Sequence, residues 1–412
     1  MDIGIYATTH GIGYRDENDF FLKSASVQEM RPVRIAQLAE AAGFHSMWFP
    51  DHVCMPTGSS SAHVANASGK RAYEARHNML DAAVTMGAVA AGTSTLKLGT
   101  SVLIVPYRNP LSDARQFATV DLLSNGRLML GVGAGWMKEE FDVLGLAYAE
   151  RGAMANECIE IFKRAWTAEV VDFHGRFYNF DRVSMDPKPA QKPRPPIIFG
   201  GVVPAGARRA IRHCDGFYPI FLDPLADPNR YAPLQDEIRR EAGRLGRNLS
   251  NFFMMAVASG RLTAPAERRQ QGHKPRPICT GSAEEVLSDL QRFADAGYSL
   301  VVLIPDCFGQ VEELEAQIQR FGDEVIKPAR SIRAKGGWAR HPFQPEPMAN
   351  RPARLGRRSS AQRDRVGGFC GASVLRPDPA AGVRATAASA VSRRKVSVSC
   401  RYSVTAVSEW LK

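Results

Sequence analysis

Read from its amino terminus, the chain alternates short apolar runs with longer segments in which apolar residues recur every three to four positions. That alternation is the pattern of repeated strand–helix units around a parallel sheet. Eight units can be counted. A strand at Ile3–Ala7 is followed by a helix at Pro32–Ala42 that stops at Gly43, where glycine tolerates the left-handed conformation of a helix end. The second strand, Ser46–Phe49, leads through an irregular insertion at 54–77 to a helix at Met79–Ala91. The third, Leu96–Ile104, leads to a helix at Ser112–Leu123 that ends in the turn Ser124-Asn125-Gly126. The fourth, Leu128–Val132, is followed by a helix over about Ala153–Ala168. A hairpin-like excursion, Val170–Met185, turns at His174-Gly175 and ends in the proline-rich crossing Pro187–Pro196. Strands at Ile197–Phe199, Phe217–Ile220, Phe253–Ser259 and Leu300–Ile304 then alternate with helices at Ala205–His213, Ala232–Leu245, Ala283–Ala296 and Val311–Ile326. A polar stretch at 263–277 reads as a mobile loop.

Eight even units with no second core predict a (β/α)8 TIM barrel with insertions over residues 1–328; a doubly wound sheet is the rival arrangement. Beyond it, residues 329–412 are rich in Arg, Ala, Ser, Pro and Gly and hold too few apolar residues in register to bury a core. Disorder is the expectation for that tail. It could meet nucleic acid or anionic lipid through charge alone, or have no function.

Charge sharpens this division. The whole chain of 412 residues carries a net charge of +11, but residues 329–412 hold 17 Lys/Arg against 4 Asp/Glu, which leaves the first 328 near neutral. The basic balance therefore belongs to the tail and says nothing about a ligand of the barrel. The seven cysteines are scattered and form no Cys-x-x-Cys pair, which fits reduced thiols in a cytoplasmic protein. No signal peptide is readable, and no run of 18 apolar residues suggests a membrane span.

In a barrel of this kind the chemistry sits at the carboxyl ends of the strands. After strand two stand Asp51 and His52, a carboxylate and an imidazole suited to proton transfer beside a redox group. The plain alternative has Asp51 capping a turn and His52 packing under a loop. The run Gly99 to Pro110 after strand three reads as an ordinary barrel strand with a proline-bounded turn. Strand four ends in Gly131-Val132-Gly133-Ala134-Gly135-Trp136, where small residues admit a flat ring or a phosphate. It is a poor dinucleotide fingerprint, since Trp136 stands where that motif needs glycine. Strand five ends in Gly200-Gly201 and opens a helix carrying Arg208 and Arg209, a possible phosphate cradle or a simple turn. His45, His52, Cys54, His63 and His77 match no zinc spacing, so no metal is expected.

Taken in order, several phrases resemble the luciferase-like monooxygenase superfamily, and in particular its coenzyme F-420-dependent (deazaflavin) branch. They are Ala39 to Phe44 running to Trp48-Phe49-Pro50-Asp51-His52, Leu98 to Pro110, Phe117 to Arg127, Gly131 to Trp136 with Glu139-Glu140-Phe141, Phe173 to Tyr178, Pro195 to Gly201, and Asp215-Gly216-Phe217. The resemblance spans residues 1–328 and implies a barrel with a reduced flavin or deazaflavin across its mouth. It implies that Asp51 and His52 face the cofactor, with His52 handling the proton. It places a non-proline cis peptide at Ser101-Val102 and phosphate contacts at Gly200 and Gly201, while Gly133 and Gly135 at the end of strand four are the small residues expected to touch the cofactor. It further implies a homodimer, a small organic substrate, and hydride transfer with coenzyme F-420. The alternative is an FMN-dependent (FMNH2) monooxygenase served by a separate reductase. Sugar-phosphate dehydrogenases of the branch carry an acid where Trp136 stands, so that activity is not expected. A metal-dependent hydrolase and a non-catalytic flavin binder are the remoter readings. The loop 54–77, with Met55, His63, Tyr73 and His77, is expected to shape the pocket together with Trp136 and the 263–277 loop, or else to lie in solvent.

Overall fold

The computed structural model describes residues 1–341 except 16–18, 64, 65, 67, 75, 223, 224, 265–275 and 308. The eight expected strands form one closed parallel barrel: β1 (Asp2–Tyr6), β2 (Ser46–Phe49), β3 (Lys97–Thr100), β4 (Leu128–Gly133), β5 (Ile197–Gly200), β6 (Gly216–Tyr218), β7 (Phe253–Leu262) and β8 (Leu300–Pro305). Each strand pairs with its neighbour in chain order. The ring closes through Asp2 opposite Leu300 on one side and Leu130 opposite Ile197 on the other. The doubly wound alternative is excluded by that closure. Eight helices surround the barrel: α1 (Pro32–Ala42), α2 (Ala82–Gly92), α3 (Pro110–Leu123), α4 (Arg151–Thr167), α5 (Pro204–His213), α6 (Ala232–Leu245), α7 (Ala283–Asp295) and α8 (Val311–Phe321).

Successive strand residues point to opposite faces, so each strand feeds two cores. Phe253, Met255 and Val257 of β7 join Tyr6, Trp48, Met129, Tyr218 and Val302 inside the barrel. Met254, Ala256 and Ala258 face outward among the helices. Both faces of this part of β7 are thus apolar, which is why a parallel strand appears in the sequence as a nearly unbroken apolar run. Trp48 plugs the barrel centre. A Cβ at Gly99 would lie 2.4 Å from its ring, so glycine there is a packing requirement.

Four features depart from the expected elements. The third strand breaks after Thr100 and resumes at Leu103–Ile104, with the expected non-proline cis peptide at Ser101-Val102 between the two parts. An antiparallel hairpin, Ile12–Arg15 with Phe20–Lys23, follows β1. A short helix, Lys138–Val143, follows β4. The α2 helix begins three residues later than predicted because Asp81 caps it, its carboxylate accepting from the Val84 amide. The expected excursion is present as the pair Val171–His174 and Asn179–Val183.

The chain beyond α8 continues helically to Ala329 and then packs on the amino-terminal end of the barrel. Ala339 donates its amide to the Phe252 carbonyl and accepts from Ser299 Oγ, and Trp338 lies against Phe252. The domain boundary expected at 328/329 falls inside this packed stretch. The rest of the basic tail and most of the 263–277 loop lie outside the described residues. Among the described residues, no helix is long and apolar enough to cross a membrane.

Candidate active site at the mouth of the barrel

A cavity of about 790 Å³ opens at the carboxyl ends of the strands, and residues from or just beyond all eight strands line it. That volume is toward the upper end of small-molecule sites and leaves room for two ligands side by side. All the sequence-derived site residues, Asp51, His52, Ser101, Val102, Gly133, Gly135, Gly200 and Gly201, line this cavity. Their roles differ from the expected ones in three places.

The first concerns Asp51 and His52. Their hydrogen-bond partners are different residues. Asp51 folds back against β3, where both its oxygens accept from Arg108 at 2.7 and 2.8 Å and one also accepts from the Ile104 amide. The carboxylate that orients His52 is Glu140, from the short helix after β4. His52 Nδ1 lies 2.7 Å from Glu140 Oε2 with both side chains buried, while Glu140 Oε1 accepts from the amides of Val53 and Cys54. A carboxylate accepts, so Nδ1 carries the proton and Nε2 is the nitrogen left for chemistry. Burial by itself would raise the Glu140 carboxyl. The bonds from His52, Cys54 and Val53 outweigh it and hold the group below the usual carboxylate range. The neighbouring Glu139 accepts from Ser59, Ser60 and Ser61, so this helix also ties down the loop after β2. Glu140 was missed as a partner because it stands 88 positions from His52.

Around His52 gather His10, His63, Tyr73 and Trp136. The His10 and Tyr73 rings lie 5.8 and 5.4 Å from it, and Trp136 packs edge-on against His63 at 4.9 Å. Burial, reinforced by His52 nearby, pushes His63 down to about 4 and His10 well below its ordinary value. Those two rings are therefore neutral at physiological pH. The loop 54–77 reaches the cavity through Ser61, Ala62, His63, Ala72 and Tyr73; Met55 does not line it and lies beside Arg71 instead. His77 bonds the His10 carbonyl behind the site. Among the described residues, the one group close enough to share a metal ion is Asp2, His45 and His341, and it draws only His45 from the sequence candidates.

The second and third differences concern the glycines. A Cβ at Gly133 would meet Val102 Cγ2 at 2.6 Å, and one at Gly200 would meet Val102 Cγ1 at 2.7 Å. These glycines make room for the Val102 side chain in the interrupted third strand, which in turn presents Ser101 and Val102 to the cavity. Gly135 has φ of +88° and abuts Phe141 and Ile104, so both conformation and space demand glycine. The Gly201 amide donates to the Tyr218 carbonyl, so it is not a free anion donor. What Gly201 offers is space, because a Cβ there would sit 3.6 Å from its nearest neighbour. Next to it α5 begins at Pro204 without a side-chain cap. Arg209 of α5 and Arg151 of α4 complete this corner. Arg209 Nε donates to Asn156, Arg151 donates to the Tyr148 carbonyl, and each guanidinium lies over an aromatic ring rather than a carboxylate. Burial, with Arg151 close by, lowers the proton affinity of Arg209, as expected of a cation held without an anion. Arg208, its neighbour in sequence, points away and pairs with Glu237.

At this corner Gly201, the start of α5, Arg151 and Arg209 put two guanidinium groups and an uncapped helix end beside one part of the cavity. Across the cavity, beneath the hairpin, the lining is apolar. A flat ring bridging the two would pass His52 and the Val102 ledge.

The family model described as luciferase-like monooxygenase matches residues 1–298. An uncharacterized protein of Mycobacterium tuberculosis is 34% identical over 212 residues, 52% of this chain and 72% of that protein. The FMNH2-dependent dimethylsulfone monooxygenase of Pseudomonas putida is 30% identical over 188 residues, 45% of this chain and 47% of that protein. Among solved structures, an F-420-dependent secondary alcohol dehydrogenase in complex with an F-420–acetone adduct has a TM-score of 0.58 at 20% identity, covering 80% of this chain and 98% of that one. That last likeness speaks to fold.

Proposed function

The chain belongs to the luciferase-like monooxygenase family and is an oxidoreductase of that family, and from this premise we propose that it transfers a hydride between coenzyme F-420 and a small organic substrate. The observation that carries the reading is the pair of carboxylate-free guanidiniums, Arg151 and Arg209, at one end of a cavity whose middle holds the buried His52–Glu140 pair. A phosphate-bearing deazaflavin or flavin fits that layout: anion at the glycine and arginine corner, ring on the Ser101–Val102 ledge. Such a cofactor supplies the two-electron chemistry when bound. The protein's own residues then bind, orient and move one proton. Arg209, Arg151 and the open end of α5 hold the anion. Gly201 leaves space for it. Glu140 fixes the His52 ring so that Nε2 faces the reacting atoms, where it can donate or accept the proton that accompanies hydride transfer. Trp136, Tyr73 and His63 close the site against water.

A second reading has a specific observation behind it. A curated relative at 30% identity uses FMNH2. In that case the same mouth serves an oxygen-dependent monooxygenase, a reductase partner supplies the reduced flavin, and His52 handles the proton of the oxygenation. Equilibrium titration of the full chain with FMN and with coenzyme F-420, each oxidised and reduced, separates the two. Binding of F-420 that weakens severalfold in His52→Ala supports hydride transfer. Binding of reduced FMN alone moves the assignment to the monooxygenase. Binding of neither rules out both.

A further inference from the structure

We propose that the substrate is an uncharged, largely apolar molecule with one polar group turned toward His52 and Tyr73, and that Phe20 and Leu22 of the hairpin after β1 impose this selectivity. The proposal rests on the cofactor reading above, because it gives to the substrate the half of the cavity which that reading leaves over.

The cavity is divided by charge. Lys138, Arg151 and Arg209 all stand on the side of β4 and β5, and Asp51 is occupied by Arg108. The side formed by the hairpin and by β6, β7 and β8 presents Phe20, Leu22, Ile220, Leu222, Val257 and Ile304, and among the described residues no charged side chain lines the cavity there. The hairpin is fixed in place rather than loosely draped. Asn66 clamps Phe20 like a paired strand, its amide donating to the Phe20 carbonyl and its oxygen accepting from the Phe20 amide. The Leu22 amide donates to the Ala72 carbonyl. Strand alternation then turns Phe20 and Leu22 inward while Lys23 faces solvent. Arg15, the nearest cation on the hairpin, donates to the Leu222 carbonyl and lies beside the Phe20 ring, so it braces the wall instead of facing the cavity.

A carboxylate pressed against this wall would lose its hydration with no cation of the described lining to replace it. An alkyl chain gains with each methylene, roughly fourfold in affinity. The polar group of such a substrate has two partners where apolar and polar lining meet. They are Tyr73, whose hydroxyl burial holds in its protonated, donating form, and His52 Nε2.

The test uses the full chain, with and without FMN, and follows binding by calorimetry, supported by quenching of tryptophan emission that is assigned to Trp136 by its loss in Trp136→Phe. The probes are 2-heptanone, 2-nonanone and 2-undecanone, with 8-oxononanoate as the charged counterpart of 2-nonanone. The expected result is affinity rising about fourfold per added methylene and at least tenfold weaker binding of 8-oxononanoate. Phe20→Ala and Leu22→Ala should flatten the dependence on chain length, and Leu22→Arg should reverse the preference toward 8-oxononanoate. Should Leu22→Arg fail to fold by circular dichroism, the alanine variants and the unmodified chain decide. Equal binding of 2-nonanone and 8-oxononanoate, no chain-length dependence, or no ketone binding overturns the proposal. Loss of FMN and F-420 binding with ketone selectivity intact counts against the cofactor reading alone.

Discussion

The two sides of the barrel mouth are built from the same kind of unit and present opposite linings. On the β4–β5 side, glycines keep the backbone low, and two guanidiniums have no carboxylate partner among the described residues. On the β1 and β6–β8 side, the hairpin and the strand ends present aromatic and branched side chains. The difference lies in the segment attached to the end of each strand, since the strands themselves share one barrel register. It teaches that the polarity of the cavity lining here is set by short additions at the strand ends: an uncapped helix start on one side, a hairpin on the other.

Reversing one charge should break the contrast most severely. Arg209→Glu should weaken FMN or F-420 binding a hundredfold or more while leaving ketone affinity within about threefold, as read by the same titrations. Comparable loss of both ligands would mean that the two sides are one site.

A smaller effect asks whether uncompensated charge is confined to the cavity. Asp113, on α3 behind the mouth, is fully buried with neither carboxylate oxygen hydrogen-bonded, and burial pushes it up to about 7 despite Arg108 nearby. An unfolded aspartate releases its proton near pH 4, so between there and 7 the folded state holds a proton that the unfolded state has lost. Stability should therefore fall as pH rises through that window. In Asp113→Asn that slope should disappear, with a gain of roughly 2 kcal/mol at pH 8 relative to pH 5 in urea unfolding. An unchanged slope would mean that Asp113 finds a partner.

The smallest effect sharpens the distinction among the glycines. Gly133→Ala should lower stability by roughly 1–2 kcal/mol through its clash with Val102. Gly201→Ala should leave thermal stability nearly unchanged and weaken cofactor binding instead. Equal thermal midpoints for the two variants would erase the difference between glycines that make room for protein and glycines that make room for ligand.

Much of the scaffold was legible in the chain itself. Parallel strands buried on both faces must be apolar throughout, and their helices must be amphipathic, so all eight units show as runs and periods. The hairpin after β1 escaped notice because its inward residues, Phe20 and Leu22, are separated by Phe21, which leaves too little alternation to read. Neighbouring letters also misled. Asp51 and His52 looked like one acid–base pair, whereas each belongs to a different partner, Arg108 and Glu140. Arg208 and Arg209 looked equivalent until one was seen to face Glu237 and the other the cavity.

By itself, then, the sequence determined the barrel, the strand ends where chemistry gathers, and the family, because burial and backbone conformation act locally and repeat along the chain. Only the tertiary structure decided which carboxylate holds His52, which arginines remain without an anion, and that one half of the mouth is apolar. Those properties arise between residues far apart in the chain, and closing the barrel is what brings them within a few ångströms.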